Sequence, residues 1–513
     1  MGILPACNKK FEQLQTDPNN PTSAPAYLVL QSVLSGIASG PGDIQPWGSV
    51  ARWNQFFCRN YQYYGDNQYG WQGGPFDGYL VLKNVARMEL EARKSGASDV
   101  NPYEAIGKFV RAYYFYNMSS MMGDIPLKDA LNGTDKINPA YNAQKSIFLQ
   151  ILSWLDQAND DLATLYGKAD NTLTGDFYYQ QDLSKWRKMV NTFKLRVLIA
   201  LSRKDADPDL NVRQRFSDVV SNPSKYPVFA SATDNFQYNY VHPFNNYPTS
   251  PDNYGFDALR YNMAQTYVQN LTNLNDARLF ITCEPAWAIA DSLNNPVDFR
   301  AYIGASTGES IAVMYSKCIN GRYSLINRKR YYDGYTAEPF IMVGYTEMCF
   351  NIAEAINRGW ITGNAADWYT RGIQESMKFY GFTTAQTSYT ATLLHIGSSL
   401  GSYRTYPFNF DLNAYMSQPS IAYAGGANGL NQILIQKYLA FFQNSGWEAY
   451  FNYRRTGVPA FAGGTGIGNN GIIPKRWSYP SNEQSLNAAN WQAALQAQQF
   501  STDDINGTIW LVK

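Results

Sequence analysis

The chain has 513 residues, 45% of them hydrophobic, which is enough to build a large core. Only 16% are charged, the formal net charge is +1, and aromatic residues reach 15%, with 39 Tyr, 27 Phe and 12 Trp. This balance argues against a phosphate-neutralising nucleic-acid surface, and no run of about 18 apolar residues is present to cross a bilayer as a helix.

The chain begins MGILPACNKKFEQLQTDPNNPTSAP, placing Cys7 between Leu4-Pro5-Ala6 and a polar run that carries Pro18, Pro21 and Pro25. Such a run reads as an extended connector. Residues 40–75 are rich in Gly, Asn, Pro and Tyr. The densest aromatic stretch, RNYQYYGDNQYGWQGGPFDGY, spans 59–79 and interleaves rings with Asn67, Gln68 and glycines. Rings stack on apolar ring faces while amides pair with polar edges, so this pattern suits a neutral polar ligand. The candidate ligand contacts are Tyr61, Tyr63, Tyr64, Asn67, Tyr69 and Trp71, joined by Trp287 further along. The alternative is a loop that folds its own rings into the body.

Helices are predicted over 77–95 and 103–119. Over 145–166, Ile147, Phe148, Ile151, Leu152, Leu155, Ala158, Leu162 and Leu165 form one stripe at helical spacing. A second stripe runs from Trp186 to Leu201 and a third from Ile341 to Ile356, with further helices over 365–380 and 432–453. Long irregular stretches separate them at 226–256, 281–336, 381–430 and 460–485, with a few short strands expected in 226–336. The fold class is therefore mostly α, a scaffold of helix pairs carrying large irregular insertions.

Catalytic signatures are sparse. Glu347 and Glu354 lie seven residues apart on one face of a predicted helix, which fits either an acid/base pair or inter-helix salt bridges. No GxSxG or HExxH motif occurs, and the GGTGIG at 463–468 lacks the Lys-Ser/Thr of a phosphate loop and reads as a flexible loop. Arg454 and Arg455 end a helix, where cations favour the dipole. The five cysteines include no CxxC pair and the two histidines, His242 and His395, are far apart, so no metal site or cofactor is expected. Cys349, inside an apolar stripe, reads as a small buried hydrophobe.

Several stretches stand out together: MMGDIPLKDAL (121–131), PAYNAQKSIFLQILSWLDQANDDL (139–162), WRKMVNTFKLRVLIALS (186–202) and LNDARL (274–279). EMCFNIAEAINRGWITGNAADWYTRGIQESM (347–377), IQKYLAFFQNSGWEAYFNYRRTGVPAF (435–461) and PKRWSYPSNEQSLN (474–487) complete the set. Together they resemble the SusD/RagB family of nutrient-binding outer-membrane lipoproteins, with Ala277 where the family usually has proline. The resemblance implies tetratricopeptide-like helix pairs, ligand binding without turnover, and a SusC-like, TonB-dependent barrel as partner. The ligand would be an oligosaccharide or, as an alternative, an oligopeptide. It also implies that Leu4-Pro5-Ala6-Cys7 ends a lipoprotein signal and that Cys7 carries the lipid anchoring the chain to the outer membrane at the cell surface. Residues 1–6 are then a signal remnant, 7–25 an anchor and tether, and 26–513 a single ligand-binding domain.

Overall fold

The computed structural model describes residues 23–38, 48–61, 68–71, 73–257 and 259–513. The fold is mostly α-helical. In chain order the principal helices are α1 (Ala26–Ala38), α2 (Gly78–Lys94), α3 (Pro102–Met122), α4 (Gln144–Gly167), α5 (Leu183–Ala200) and α6 (Val212–Ser221). They continue with α7 (Trp287–Leu293), α8 (Ile311–Ile319), α9 (Tyr345–Asn357), α10 (Ala365–Phe379), α11 (Gly426–Ala440), α12 (Glu448–Thr456) and α13 (Ala488–Ala497). None of the described helices is long and apolar enough to cross a membrane.

Local chemistry sets the boundaries. In α3, Pro102 occupies the first turn and Asn101 caps it, its side chain accepting from the Glu104 N–H at 3.0 Å. Gly123 ends α3 at φ +98°, and a Cβ there would collide with the Gln498 amide as well as strain the backbone. In α5 the Asp182 carboxylate caps, accepting from the Ser184 and Lys185 N–H groups. The predicted stripe of α4 is buried throughout, from Ile147 to Leu165.

Helices α1 to α5 pack in succession, α5 then meets α9, and α9 meets α10 and α11. Two hydrophobic cores result. The first lies among α1–α6 and takes Met348, Cys349, Ile352 and Ala355 from α9. The second gathers the inserted segments over α10 and α11 and takes Phe350 and Ala353 from the same helix. Tyr238, Phe340, Trp368 and Phe461 pack against both cores, so α9 and these rings join scaffold to insertions.

The strands form two-stranded antiparallel pairs among the described residues. β1 (Phe57–Arg59) pairs with β3 (Tyr261–Met263), β2 (Phe236–Tyr238) with β4 (Phe340–Val343), and β5 (Ser388–Leu393) with β6 (Arg404–Asn409). Two expectations change. The apolar run from Ile341 begins as strand β4, and the helix starts only after Gly344. The predicted 432–453 helix is two, α11 and α12, because Gln443, Ser445 and Gly446 all take positive φ in the intervening turn.

Candidate ligand-binding surface

The described part of the aromatic stretch divides between interior and surface. Tyr69 and Trp71 are 2% and 1% exposed. Trp71 stacks on Trp477 with centroids 4.2 Å apart and meets the edge of Tyr450 at 4.5 Å. The Tyr69 hydroxyl accepts from Gln55 Nε2 at 3.2 Å. Trp287, 2% exposed, packs its ring 4.5 Å from that of His395. Rings buried on both faces offer no platform to a ligand, so the expectation of stacking contacts at Tyr69, Trp71 and Trp287 is corrected to packing. Tyr63, Tyr64, Asn67 and Cys7 lie outside the described residues.

Tyr61 is half-buried, and its placement follows from strand pairing. β1 and β3 align Cys58 with Asn262 and Arg59 with Tyr261. The pairing is extended by the Asn60 N–H donating to the Arg260 carbonyl at 3.0 Å and by Asn60 Nδ2 donating to Asn262 Oδ1 at 2.6 Å. Tyr61 therefore leaves the strand beside Arg260, whose guanidinium lies 4.5 Å from the ring centroid. On the other side stands Tyr315 of α8, its ring 6.2 Å from Tyr61 and tilted by 51°.

Helix α8 buries only Met314 and Cys318, one turn apart, in a small cluster with Cys58, Ala264, Ala305 and Tyr323. Its other apolar side chains face outward: Val313, Tyr315 and Ile319 are 45%, 41% and 51% exposed. The rim is polar and pre-set. The Tyr323 hydroxyl donates to Glu309 Oε2 at 2.6 Å, and Lys317 pairs with Glu309 and donates to the Tyr323 hydroxyl at 3.1 Å. These bonds, Glu309 first, hold the Lys317 ammonium above the ordinary lysine range. The GGTGIG segment packs against this rim instead of hanging free. The Gly466 N–H donates to the Gly308 carbonyl at 2.9 Å, and a Cβ on Gly466 would collide with the Glu309 carbonyl. Glycine is required here for close backbone approach.

The surface thus offers two tilted tyrosines, a guanidinium and the exposed Ile319 one turn from Tyr315, edged by fixed hydrogen-bonding groups. It can stack flat apolar faces and pair with polar edges. Tyr315 and Arg260 were not legible as partners of Tyr61. The available signal was the strongly apolar IAVMYSKCI run at 311–319, too apolar for a solvated loop.

The carboxylate pair makes no acid/base site. Glu347 is held by Arg196, with Nε to Oε1 at 2.8 Å, and Glu354 by Arg455 and Arg358, at 2.9 and 2.8 Å. Burial raises the Glu354 pKa, but Arg455, then Arg358 and Lys437, outweigh it and hold the carboxyl at about 2. A general acid for glycoside cleavage needs the opposite shift. The salt-bridge alternative is the one found. Cys58, Cys283, Cys318 and Cys349 are free and buried, and burial pushes their thiols up. Among the described residues no group of three or more His, Cys, Asp or Glu side chains is placed to hold a metal ion.

Comparison with known proteins places this geometry in context. No curated protein matches the chain by sequence. Two SusD homologues from Bacteroides fragilis have the same fold: one is 27% identical with a TM-score of 0.81, the other 28% identical with a TM-score of 0.78. In both cases the alignment covers 96% of this chain and 100% of the other. A chitin-binding SusD homolog from Flavobacterium johnsoniae is similar in fold at 18% identity, with a TM-score of 0.70 over 95% of this chain and 98% of the other. The SusD-like family model, described as starch-binding associating with outer membrane, matches residues 18–480, and the chain belongs to that family.

Proposed function

We propose that this protein is a cell-surface lipoprotein that captures an oligosaccharide at the Tyr61–Arg260–Tyr315 surface and delivers it, as a hinged lid, to a SusC-like TonB-dependent barrel. Family membership supports the carbohydrate ligand and the outer-membrane setting. The observation that carries the site is the exposed pair Tyr315 and Ile319, one turn apart on α8, set beside Tyr61 and a guanidinium. Tyr63, Tyr64 and Asn67 follow Tyr61 directly in sequence and are proposed as further contacts. In this reading the protein binds its ligand without turnover, which family membership and the ion pairs holding Glu347 and Glu354 support.

Glycan and peptide arrays on the purified chain identify the ligand. Tyr315→Ala and Arg260→Ala then each weaken it by about tenfold or more, on the scale of one lost stacking or cation contact. Wild-type affinity in both variants removes this surface from consideration, and retention of peptides alone transfers the role to oligopeptides. The anchor is tested separately. Cys7→Ala in a precursor leaves the protein folded but no longer membrane-bound, since multiple acyl chains are needed for firm attachment. Persistent partition with the outer membrane when the barrel is absent refutes the anchor.

A further inference from the structure

A second concave surface lies near the C-terminus. A groove of about 910 Å³ opens between α13 and residues 501–505, against residues 478–484. That is room for several sugar-sized units, at the upper end of small-ligand sites.

Its back wall is built and rigid. Arg476, fully buried, donates from Nη1 to Asp503 Oδ1 at 2.6 Å and lies 4.9 Å from the ring centroids of both Tyr479 and Phe500. Asp503 Oδ2 accepts the Tyr479 N–H at 2.8 Å and the Trp491 indole N–H at 3.3 Å. The charge of Asp503 is thereby neutralised, and the same carboxylate fixes the plane of the half-buried Trp491 ring at the groove wall.

Most of the remaining lining is polar, uncharged and open to water. Gln492 and Gln496 stand one turn apart on α13, both exposed. Gln484 and Ser481 face them from one flank, and Ser501 and Thr502 from the other. None of these six side chains makes a hydrogen bond to another described residue. Among the described residues no Lys or Arg lines the groove, and its second carboxylate, Asp504, which accepts the Asn506 N–H at 2.9 Å, adds negative charge at the rim. A phosphorylated or uronic ligand finds no cation here. An apolar partner would desolvate six amide and hydroxyl groups without replacing their bonds. No strand residue is among the described lining, so an extended peptide finds no edge there to pair with. A ligand that presents flat C–H faces to one indole and many hydroxyls to amides meets all the constraints.

The geometry points to a second subsite, for a neutral oligosaccharide, in the groove between α13 and residues 501–505, stacked on Trp491 and bonded by Gln492 and Gln496. This rests on the reading of the protein as a glycan binder. The subsite shares no residue with the Tyr61–Tyr315 surface. The 463–471 loop stands between them, its Gly466 against Glu309 on one side and its Asn469 on the groove rim, tied there to Asn506 at 2.7 Å.

The test is titration calorimetry of the full chain with malto-, cello-, laminari- and chito-hexaose. The wild type takes up two equivalents of the hexaose it binds. Gln492→Ala with Gln496→Ala weakens one of the two events by about tenfold or more, and Trp491→Ala removes it. Tyr315→Ala weakens only the other. The glutamines are solvent-exposed, so the double variant folds even where Trp491→Ala does not. One equivalent in the wild type, untouched by the glutamine pair and abolished by Tyr315→Ala, overturns the groove and leaves the glycan reading intact. Loss of the sole event in the groove variants, with Tyr315→Ala unaffected, keeps the groove and overturns the α8 surface. No heat with any hexaose at millimolar concentration overturns both.

Discussion

The two cores bury aromatic rings by different means. In the scaffold core, rings meet because helical stripes bring them together, as where Phe109 meets Phe193 edge-on at 5.6 Å and Trp186 at 6.0 Å. Each helix satisfies its own backbone, so the buried charges among these helices, such as Arg196–Glu347 and Arg455–Glu354, tie one helix to another. The inserted segments have no such self-sufficiency, and their buried N–H groups must find acceptors elsewhere. Glu284, fully buried, supplies them: its Oε1 accepts the N–H groups of Arg328 and Leu394, both at 3.0 Å, while Oε2 pairs with the Arg328 guanidinium at 2.6 Å. Asp276 does the same for the Arg278 N–H at 3.0 Å and also binds its guanidinium, at 2.6 Å. Buried carboxylates here hold the backbone of irregular chain, whereas among the helices they join elements whose backbone is already satisfied.

The sharpest way to break this contrast is Glu284→Ala. It strands a buried guanidinium and two backbone donors, so the expected loss is about 3–5 kcal/mol by urea denaturation. A loss under about 1 kcal/mol would show that the insertions are held by apolar packing after all. Glu284→Gln retains the shape but not the charge, and most of the loss remains.

The ion pairs of the scaffold join helix to helix, and pH separates their contribution. Glu354 falls from an ordinary 4.5 to about 2 in the folded state. A depressed carboxyl stabilises the fold above its unfolded pKa. That contribution, on the order of 3 kcal/mol, is lost as pH falls from 4.5 through about 2. Denaturation between pH 5 and 2 should therefore steepen in the wild type, and a Glu354→Gln variant should show a shallower acid limb. Equal limbs would mean that Arg455 and Arg358 do not hold the carboxylate ionised. A smaller effect is expected within the scaffold stripe itself, where Leu155→Met conserves volume and costs under about 1.5 kcal/mol.

The same contrast sets what the sequence discloses. Helices α2 to α5 were legible to within a few residues, since burial there repeats at 3.6, whereas α1 and α6, which bury only part of one face, were not. The break between α11 and α12 was not, because Gln443 and Ser445 adopt left-handed backbone that their residue types rarely signal. LNDARL could be matched to a family element, but not read as the Asp276–Arg278 pair buried among Ser376, Gln436 and Tyr415. Within the aromatic stretch, no period distinguishes Tyr61 from Trp71, so composition alone could not say which ring faces solvent. That depends on partners far along the chain, Tyr315 for one and Trp477 for the other.

Tyr315 and Trp71 give the finest test of the difference between surface and core. Tyr315 is 41% exposed and touches the fold on one side. Tyr315→Ala should leave stability within about 0.5 kcal/mol of wild type, as for other surface truncations. Trp71→Ala empties a site bounded by Trp53, Trp447, Tyr450 and Trp477 and should cost about 3–5 kcal/mol. Ligand affinity runs the other way. The loss at Tyr315 appears at saturating folded protein, whereas at Trp71 it tracks only the unfolded fraction and vanishes when binding is corrected for it. A Trp71→Ala chain that remains fully folded yet binds weakly would place the indole at the ligand and erase the division between the two rings.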